Sequence, residues 1–203
     1  TFPEALQKAV RSLETGLYGL SGNDGEMLSG LGEKEILERL AEPSAERLLL
    51  LYEALKKGVA VQRLAEATRI DPWFVDQMRL VAEVERRLTR PNGNGRRRIT
   101  REILWEAKQH GFGDAQLGRL LGRSEREVRG LRSRAHVTPV HKLVDTCAAE
   151  FEAYTPYYYG TYEKPFWRCE DGVWRLATED EGRVSDRRKI LIVGAGPNRI
   201  GQG

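Results

Sequence analysis

The sequence has few cysteines, and they are not spaced for a metal site or a disulfide framework. Cys147 and Cys169 are the only two cysteines among 203 residues, and neither belongs to a CxxC motif. Two distant thiols are typical of reduced cysteines in a cytosolic protein. We therefore expect neither a metal nor a disulfide framework. Cys147 stands among small residues and is predicted to be a buried side chain rather than a reactive thiolate.

The sequence also lacks a stretch that is long and apolar enough to cross a membrane, and its start has no signal-peptide pattern. The first four residues, Thr1-Phe2-Pro3-Glu4, include no initiator methionine, so we expect the chain to be an internal piece of a longer one. These absences predict a cytoplasmic protein with no membrane partner.

Positive and negative charges nearly balance, so the composition does not indicate a nucleic-acid partner. The chain has 33 Lys and Arg residues against 30 Asp and Glu residues, a formal net charge of +3. An excess this small gives no argument for a polyanionic partner. A chain of this length with 40% hydrophobic residues can bury a sizeable core, which predicts one large domain or two small ones.

Apolar residues recur at helical spacing through most of the chain, which predicts a mainly α fold. The first helix is expected to begin at Thr1, with Glu4 at capping-box spacing. From Glu33 onward two short helices are predicted, one lined by Ile36, Leu37 and Leu40 and one over 61–68. The remaining helices are predicted to start at Ser44, Asp71, Thr100, Asp114 and Ser124, and to stop before Gly58, Pro91, Gly111 and Gly122. The helix after Asp71 is expected to bury Phe74, Val75, Met78, Val81, Val84 and Leu88.

Two helical stretches match each other at an offset of 53 residues, the difference between Gly58 and Gly111. The matching positions carry apolar residues, helix starts and helix stops, and they pair Leu51 with Leu104, Ala54 with Ala107, Leu64 with Leu117 and Val75 with Val128. The pattern predicts a multi-helix orthogonal bundle with an internal duplication, in which residues 48–78 superpose on 101–131. The alternative is that two amphipathic helix pairs align by chance.

Each copy also fits a helix-turn-helix, and this supports an alternative function, nucleic-acid binding. Five of the six arginines in residues 115–134 would contact phosphates: Arg123, Arg126, Arg129, Arg132 and Arg134. Glu125 and Glu127 oppose this function, because they lie at the end of the helix that would approach the bases. Helical hairpins that only pack are far commoner than those that bind DNA, so packing is favoured and no nucleic-acid partner is expected.

Three motifs in the last third of the chain carry a resemblance to a known family. VDTCAAEF occupies 144–151, TPYYYGTYE occupies 155–163, and GAGPNRIGQG occupies 194–203. Together with IDPWFVDQMR at 70–79 and GFGDAQLGRLLG at 111–122, they resemble the carbamoyl-phosphate synthetase large-chain family. The resemblance covers nearly the whole chain in order.

The resemblance implies a place within a larger enzyme. In that family two homologous ATP-grasp halves make carbamate from bicarbonate, ammonia and ATP and then phosphorylate it, for arginine and pyrimidine synthesis. An all-helical oligomerisation domain separates the halves. By resemblance, residues 1–18 are the closing helix of the preceding half, 19–164 the oligomerisation domain, and 187–203 the start of the pre-ATP-grasp region of the second half. The implied partners are further copies of the chain, both ATP-grasp halves and a glutaminase small chain. The implied cofactors of the parent enzyme are ATP and Mg or Mn.

Residues 165–186 depart from the family pattern and are expected to form a variable linker. Within it, Asp171 and Gly172 stand between aromatic residues, a signal for a β-hairpin. We therefore expect short β elements near the C-terminus. A further apolar strand is predicted over 190–193, and without a sheet it is expected to be mobile or to pair with another chain.

The glycine-rich end is the one segment with chemical character, since glycines after a strand let the backbone approach a phosphate closely. The candidate binding residues there are Gly194, Gly196, Asn198, Arg199, Gly201 and Gln202. Arg199 stands where a third glycine would complete a dinucleotide motif, so a tight turn is the alternative. By resemblance, this loop would help to shape the site of the second half in the full enzyme.

No catalytic residue is predicted. His136 and His141 have no acid or nucleophile pattern beside them, and His110 is expected to favour the end of a helix dipole. A free-standing nucleotide enzyme would need most of an α/β domain after Val193. We therefore predict that the chain by itself is inactive and binds no cofactor of its own.

Overall fold

Eight helices and four short strands make up the part of the chain that the structure describes. The computed structural model describes residues 1–13, 15–23, 28, 30–91, 99–148, 150–152, 157–182 and 184–190. The helices are α1 Phe2–Ser12, α2 Glu33–Leu40, α3 Arg47–Lys56, α4 Val61–Thr68, α5 Pro72–Thr89, α6 Arg101–Gln109, α7 Asp114–Leu121 and α8 Glu125–Arg134. The strands are β1 Val140–Leu143, β2 Tyr158–Thr161, β3 Phe166–Glu170 and β4 Val173–Ala177. The predicted mainly α fold with short β elements near the C-terminus is confirmed.

The chain divides into two compact units, Thr1–Val137 and Thr138–Gly203. The eight helices described here lie in the first unit and the four strands in the second. The large apolar core is helical and belongs to the first unit.

Helix α5 is the centre of the first unit. It packs against α1, α3, α4, α6 and α7, and one stripe along it is buried, comprising Val75, Met78, Val81, Ala82, Val84, Glu85 and Leu88. The prediction that Phe74 is also buried is wrong, because 43% of it is exposed. Phe74 lies in the first turn of α5, where its ring contacts Phe2 and Trp73 instead of the core.

The order and bounds of the helices repeat at the predicted offset of 53 residues. Helix α4 at 61–68 corresponds to α7 at 114–121, α3 ends at 56 where α6 ends at 109, and α5 begins at 72 where α8 begins at 125. The turns that end the helices repeat as well. Gly58 and Gly111 have φ values of +88° and +85°, and the next matched pair, Arg69 and Gly122, has values of +59° and +66°.

The two copies differ in the length of their third helix. Helix α8 ends at Arg134, whereas α5 continues for two more turns past the matching position, Val81, to Thr89. Glu85 and Leu88 in these extra turns are buried. The repeated helix order supports a duplication, and the superposition of 48–78 on 101–131 stays a prediction.

Most of the predicted helix starts are confirmed, and two are shifted. Side chains of Thr1, Asp71, Thr100 and Ser124 accept hydrogen bonds at the first turns of their helices. Helix α3 begins at Arg47 rather than at Ser44. Asp114 is the first residue of α7 and Gly113 is its N-cap, because the Asp114 carboxylate pairs with Lys108 and Arg132 instead of capping the helix.

The second unit contains two separate antiparallel ribbons. In the first, β1 pairs with β2, with Val140 opposite Thr161. In the second, β3 pairs with β4, with Glu170 opposite Val173. Asp171 and Gly172 between them have φ values of +52° and +76°. Two consecutive positive φ values are the mark of a type I′ turn, so the predicted hairpin at Asp171 and Gly172 is confirmed.

Candidate functional site

Three aromatic side chains form an exposed cluster on the helical unit, here called the aromatic cluster: Phe2, Trp73 and Phe74. Their ring centroids lie 5.4 Å (Phe2 to Trp73), 5.3 Å (Phe2 to Phe74) and 5.0 Å (Trp73 to Phe74) apart, in edge or tilted arrangements. Trp73 is 52% exposed and Phe74 is 43% exposed. Aromatic side chains carry much of the binding energy of protein interfaces, so this cluster is the main candidate contact surface of the unit.

The first turns of two helices position the aromatic cluster. Thr1 caps α1 and accepts a hydrogen bond from the amide of Glu4, which fixes Phe2 as the first helical residue. Asp71 caps α5 through a 2.8 Å hydrogen bond from the Trp73 amide to its carboxylate. Since α1 and α5 also pack against each other, the three rings are held by a preformed scaffold.

The sequence also offers Leu48 to Leu51, Trp73 and Trp105 as large apolar groups for a contact surface, and most of them lie in or against the core. Leu50 and Leu51 are each 1% exposed and Trp105 is 5% exposed, whereas Leu48 and Leu49 are partly buried against the core. Of these residues, Trp73 is the one with an exposed side chain. Helical periodicity shows that these residues lie on apolar stripes but does not show which stripe a neighbouring helix covers.

A buried chain of polar side chains joins the two copies of the repeat inside the helical unit. Gln7 of α1 donates to the His110 carbonyl at 3.1 Å and accepts from the Gln116 side chain at 3.0 Å. Gln116 also donates to the Ser21 hydroxyl at 3.4 Å, and Ser21 is hydrogen-bonded to Tyr52. Gln7 and Gln116 are fully buried, so the two amides are satisfied by each other rather than by solvent.

The chain of polar groups ends at a buried carboxylate. The Tyr52 hydroxyl donates to Glu85 at 2.6 Å, and the Lys56 ammonium lies 3.3 Å from the same carboxylate. Burial, together with the charge of Glu85 and the hydrogen bond to it, raises the pKa of Tyr52 well above its usual range. Tyr52 therefore acts here as a neutral donor. The arrangement is a structural hydrogen-bond network between buried side chains.

These buried polar residues were not predicted from the sequence. Glu85 and Gln116 occupy buried faces of α5 and α7 between apolar neighbours. A polar residue on an apolar stripe is the sequence signal that could have indicated a buried polar contact. The partner of each comes from a distant part of the chain, and a single sequence does not give that pairing.

Asp114 is the centre of a second buried charge cluster. Its carboxylate lies 2.9 Å from the Lys108 ammonium and 3.1 Å from the Arg132 guanidinium. Burial opposes the ionisation of Asp114, but hydrogen bonds and charges from these two cations outweigh it and lower its pKa. Burial lowers the pKa of Lys108, helped by the nearby charges of Arg132 and Arg11 and opposed by Asp114. The ion pair fixes α7 against α6 and α8.

The Asp114 cluster also bears on the nucleic-acid alternative. Of the five arginines that would contact phosphates, Arg132 is paired with Asp114, and Arg129 is paired with Glu125 at 2.8 Å. Glu127 completes the capping box with Ser124 at the exposed start of α8. A recognition helix needs free cations at this end, so these contacts favour a packing role.

In the second unit, acidic side chains surround one lysine. The Lys142 ammonium of β1 lies 3.1 Å from Glu163, 3.7 Å from Glu179 and 4.0 Å from Glu181. Burial opposes the charge of Lys142, but the three carboxylates outweigh it and raise its pKa. Glu181 also accepts from the Leu143 amide at 2.6 Å. These contacts cap the free edge of β1.

The three histidines lie at structural positions, and the two cysteines are free thiols. His110 is the C-cap of α6, with Nδ1 2.8 Å from the Glu106 carbonyl oxygen. His141 lies 3.6 Å from Asp180, and His136 follows α8 with a positive φ of 52°. Cys147 is half-buried rather than fully buried, and Cys169 is exposed. Within the ranges that the structure describes, no three His, Cys, Asp or Glu side chains are grouped to hold a metal ion.

The candidate phosphate-approaching loop lies outside the described residues. This applies to all six predicted residues, Gly194, Gly196, Asn198, Arg199, Gly201 and Gln202, and to residues 191–193 of the predicted strand. Ile190, the last described residue, is 91% exposed. Among the described helices, none combines the length and the apolar character that a membrane span requires.

Comparison with known proteins identifies matches along the whole chain. A family model described as "Carbamoyl-phosphate synthetase large chain, oligomerisation domain" matches residues 1–136. Three curated relatives carry the name "Carbamoyl phosphate synthase large chain". The protein of Archaeoglobus fulgidus is 46% identical over 206 residues, that of Pseudarthrobacter chlorophenolicus 43% over 202, and that of Nostoc sp. 42% over 203. Each alignment covers 100% of this chain but only 18%, 16% and 17% of the respective relative.

Proposed function

Since the chain belongs to the carbamoyl-phosphate synthetase large-chain oligomerisation-domain family, we propose that it acts as an assembly module of an ATP-dependent carbon–nitrogen ligase. The observation that carries this proposal is the aromatic cluster. Phe2, Trp73 and Phe74 form a rigid, largely apolar surface on the unit that the family model covers. The occupant that we propose for it is a second copy of the chain.

The proposed parent enzyme makes carbamoyl phosphate from bicarbonate, ammonia and ATP, with Mg or Mn, in the cytoplasm. Within it, residues 1–18 would close the first ATP-grasp half, 19–164 would form the assembly module, 165–186 a variable linker, and 187–203 would open the second half. Both halves and a glutaminase small chain would be its partners. The lengths of the relatives support this, because the chain spans 16–18% of the length of the relatives named above.

Self-association is tested by sedimentation of the 203-residue chain and of a Trp73→Ser, Phe74→Ser variant. Loss of central aromatic contacts typically costs about 2 kcal/mol or more, so we expect the dissociation constant to rise roughly 30-fold. The matched control is Leu13→Ser, because Leu13 is a 63% exposed apolar residue of the same unit that lies outside the aromatic cluster. Equal dissociation constants for the two variants would refute the assignment of the contact to the aromatic cluster. If the unsubstituted 203-residue chain stays monomeric at high concentration, self-association is refuted.

We also propose that the chain alone neither hydrolyses ATP nor makes carbamoyl phosphate. Phosphoryl transfer needs a metal site and a phosphate clamp, and the described residues contain no cluster suited to a metal ion. Purified chain is expected to release no phosphate from ATP above a mock-purified control. ATP turnover that copurifies with the chain through successive separations would contradict this.

A further inference from the structure

We propose that one face of the β3–β4 hairpin is a docking surface for another part of the same synthetase-length polypeptide. This inference rests on the proposed function, in which the chain is a segment of such a polypeptide. The surface, here called the hairpin face, consists of Trp167, Cys169, Trp174 and Leu176.

The strand register places these four side chains on one side of the hairpin. Trp167 is opposite Leu176, and Cys169 is opposite Trp174. Side chains alternate between the two faces of a strand, and directly paired residues lie on the same face. Trp167 and Cys169 are two residues apart, so they share one face with their partners Leu176 and Trp174. Trp167 is 66% exposed, Trp174 65% and Leu176 55%, and Cys169 is exposed as well.

The opposite side of the hairpin carries the charged side chains. Arg168 and Arg175 are paired across the strands there, and both lie within 4 Å of Glu170, at 3.8 Å and 3.9 Å. Arg168 also reaches Glu179 at 3.5 Å. Phe166, 39% exposed, and Val173, 52% exposed, lie on this side too, but among charged residues. The hairpin face is therefore the more apolar of the two sides.

An uncovered face of this kind leaves the hairpin without a core. Two-stranded hairpins are marginally stable in water unless their apolar face packs against something. Two tryptophans and a leucine on one side are unusual for a surface that stays in solvent, and contiguous exposed apolar groups mark interaction sites. The hairpin face thus requires a partner.

The size of the hairpin face suits a tethered partner, and contacts between separate copies are already proposed for the aromatic cluster. Two tryptophans at about two-thirds exposure, with one leucine and one cysteine, present on the order of 400 Å². A stable complex of separate proteins needs about 800 Å² on each partner, so a separate copy would require either this face or the aromatic cluster to be part of a larger surface. A partner on the same polypeptide is already at a high effective concentration, so a smaller surface is sufficient.

The comparisons supply such a tethered partner. Each of the three named relatives is more than five times as long as its match to this chain. The oligomerisation-domain match ends at residue 136, so contacts between copies are assigned to the helical unit. The hairpin at 166–177 lies outside that match, which leaves its apolar face to a different surface of the long polypeptide.

Cys169 allows a direct test, because it lies on the hairpin face itself. Its alkylation rate is measured by mass spectrometry in the 203-residue chain and in the complete synthetase polypeptide that contains it, with Cys147 as the internal reference. We expect Cys169 to react at least 10-fold more slowly in the complete polypeptide. Equal rates in both samples would overturn the proposal, as would protection in the short chain that increases with its concentration, because that outcome identifies a second copy.

Two substitutions in the complete polypeptide separate docking from other causes of protection. Trp174→Thr removes a ring from the hairpin face and is expected to restore the fast alkylation of Cys169. Arg175→Thr changes the opposite face and is expected to leave Cys169 protected. If both variants behave alike, the hairpin face is not the contact.

The same samples are assayed for carbamoyl-phosphate synthesis from bicarbonate, free ammonia and ATP. A complete polypeptide that makes carbamoyl phosphate while Cys169 stays fully reactive would refute docking and leave the proposed function intact. A folded complete polypeptide that makes none would refute the proposed function instead.

Discussion

Tyr52 shows at the scale of a single residue how the helical unit depends on a polar group in its core. Its hydroxyl donates to the buried Glu85 at 2.6 Å. The Tyr52→Phe variant is expected to lose about 2 kcal/mol of unfolding free energy in urea, because a hydrogen bond to a charged group is removed. Tyr18→Phe is the control, since the Tyr18 hydroxyl accepts from Arg119 near the surface and its loss is expected to cost less than about 1 kcal/mol.

The same residue predicts a dependence of stability on alkaline pH. The pKa of Tyr52 is raised in the folded protein, whereas an unfolded tyrosine has a pKa of about 10. The contribution of Tyr52 to the unfolding free energy is thus fully present below pH about 10. It is lost at higher pH, because Tyr52 ionises first in the unfolded chain and this favours unfolding. The difference in stability between the parent and Tyr52→Phe is expected to shrink above that pH. A constant difference would mean that Tyr52 titrates normally.

Arg69 occupies a conformation that suits glycine better. It is an exposed residue with a φ of +59° at the end of α4, where the matching residue of the repeat is Gly122. Arg69→Gly is expected to stabilise the chain by about 1 kcal/mol, because a residue with a Cβ is strained in this region. Urea unfolding with Gly122→Arg as the reverse substitution tests this. Stabilisation by both changes would exclude backbone strain as the cause.

At the scale of elements, two matched glycines differ in what surrounds them. A Cβ at Gly58 would meet nothing within 4 Å, whereas a Cβ at Gly111 would lie 2.9 Å from the Cα of Glu4 in α1. Both have positive φ, so Gly58→Ala is expected to cost about 1 kcal/mol from backbone strain alone. Gly111→Ala is expected to cost roughly 1–3 kcal/mol more, because α1 must shift. Equal losses in urea unfolding would show that α1 is not packed closely at Gly111.

Local signals in the sequence predicted the elements well where the cause is local. The caps at Asp71 and Ser124, the breaks at Gly58 and Gly111, and the Asp171 turn each depend on a few neighbouring residues. Features with a distant cause were not predictable in this way.

The errors and omissions lie where tertiary contacts decide. Asp114 has the chemistry of an N-cap, but Lys108 and Arg132 draw its carboxylate away from the α7 backbone. Phe74 fits the apolar stripe of α5, but its ring joins Phe2 outside the core. The aromatic cluster could be predicted only in part, through Trp73, because periodicity does not show which face of a helix stays uncovered.

At the scale of the whole molecule, the two units are expected to differ in stability. The helical unit has a large core around α5, whereas the hairpin of the second unit exposes its tryptophans. In hydrogen exchange on the 203-residue chain, amides of 78–85 in α5 are expected to exchange only with global unfolding. Amides of 166–177 are expected to exchange at least 100-fold faster. Equal protection of both segments in a monomeric sample would show that the hairpin is covered within this chain.

The contacts of α1 also determine when this protein can complete its fold as it leaves the ribosome. Gln7 and Arg11 hydrogen-bond to His110, Gly111 and Gln116, partners that lie 103, 100 and 109 residues further along the chain. At about 5–20 residues per second, translation delivers those partners roughly 5–20 s after α1 is made. During that interval α1 lacks these hydrogen-bond partners, although α5 with Trp73 and Phe74 has already emerged. The helical unit therefore closes late, when the second copy of the repeat has emerged.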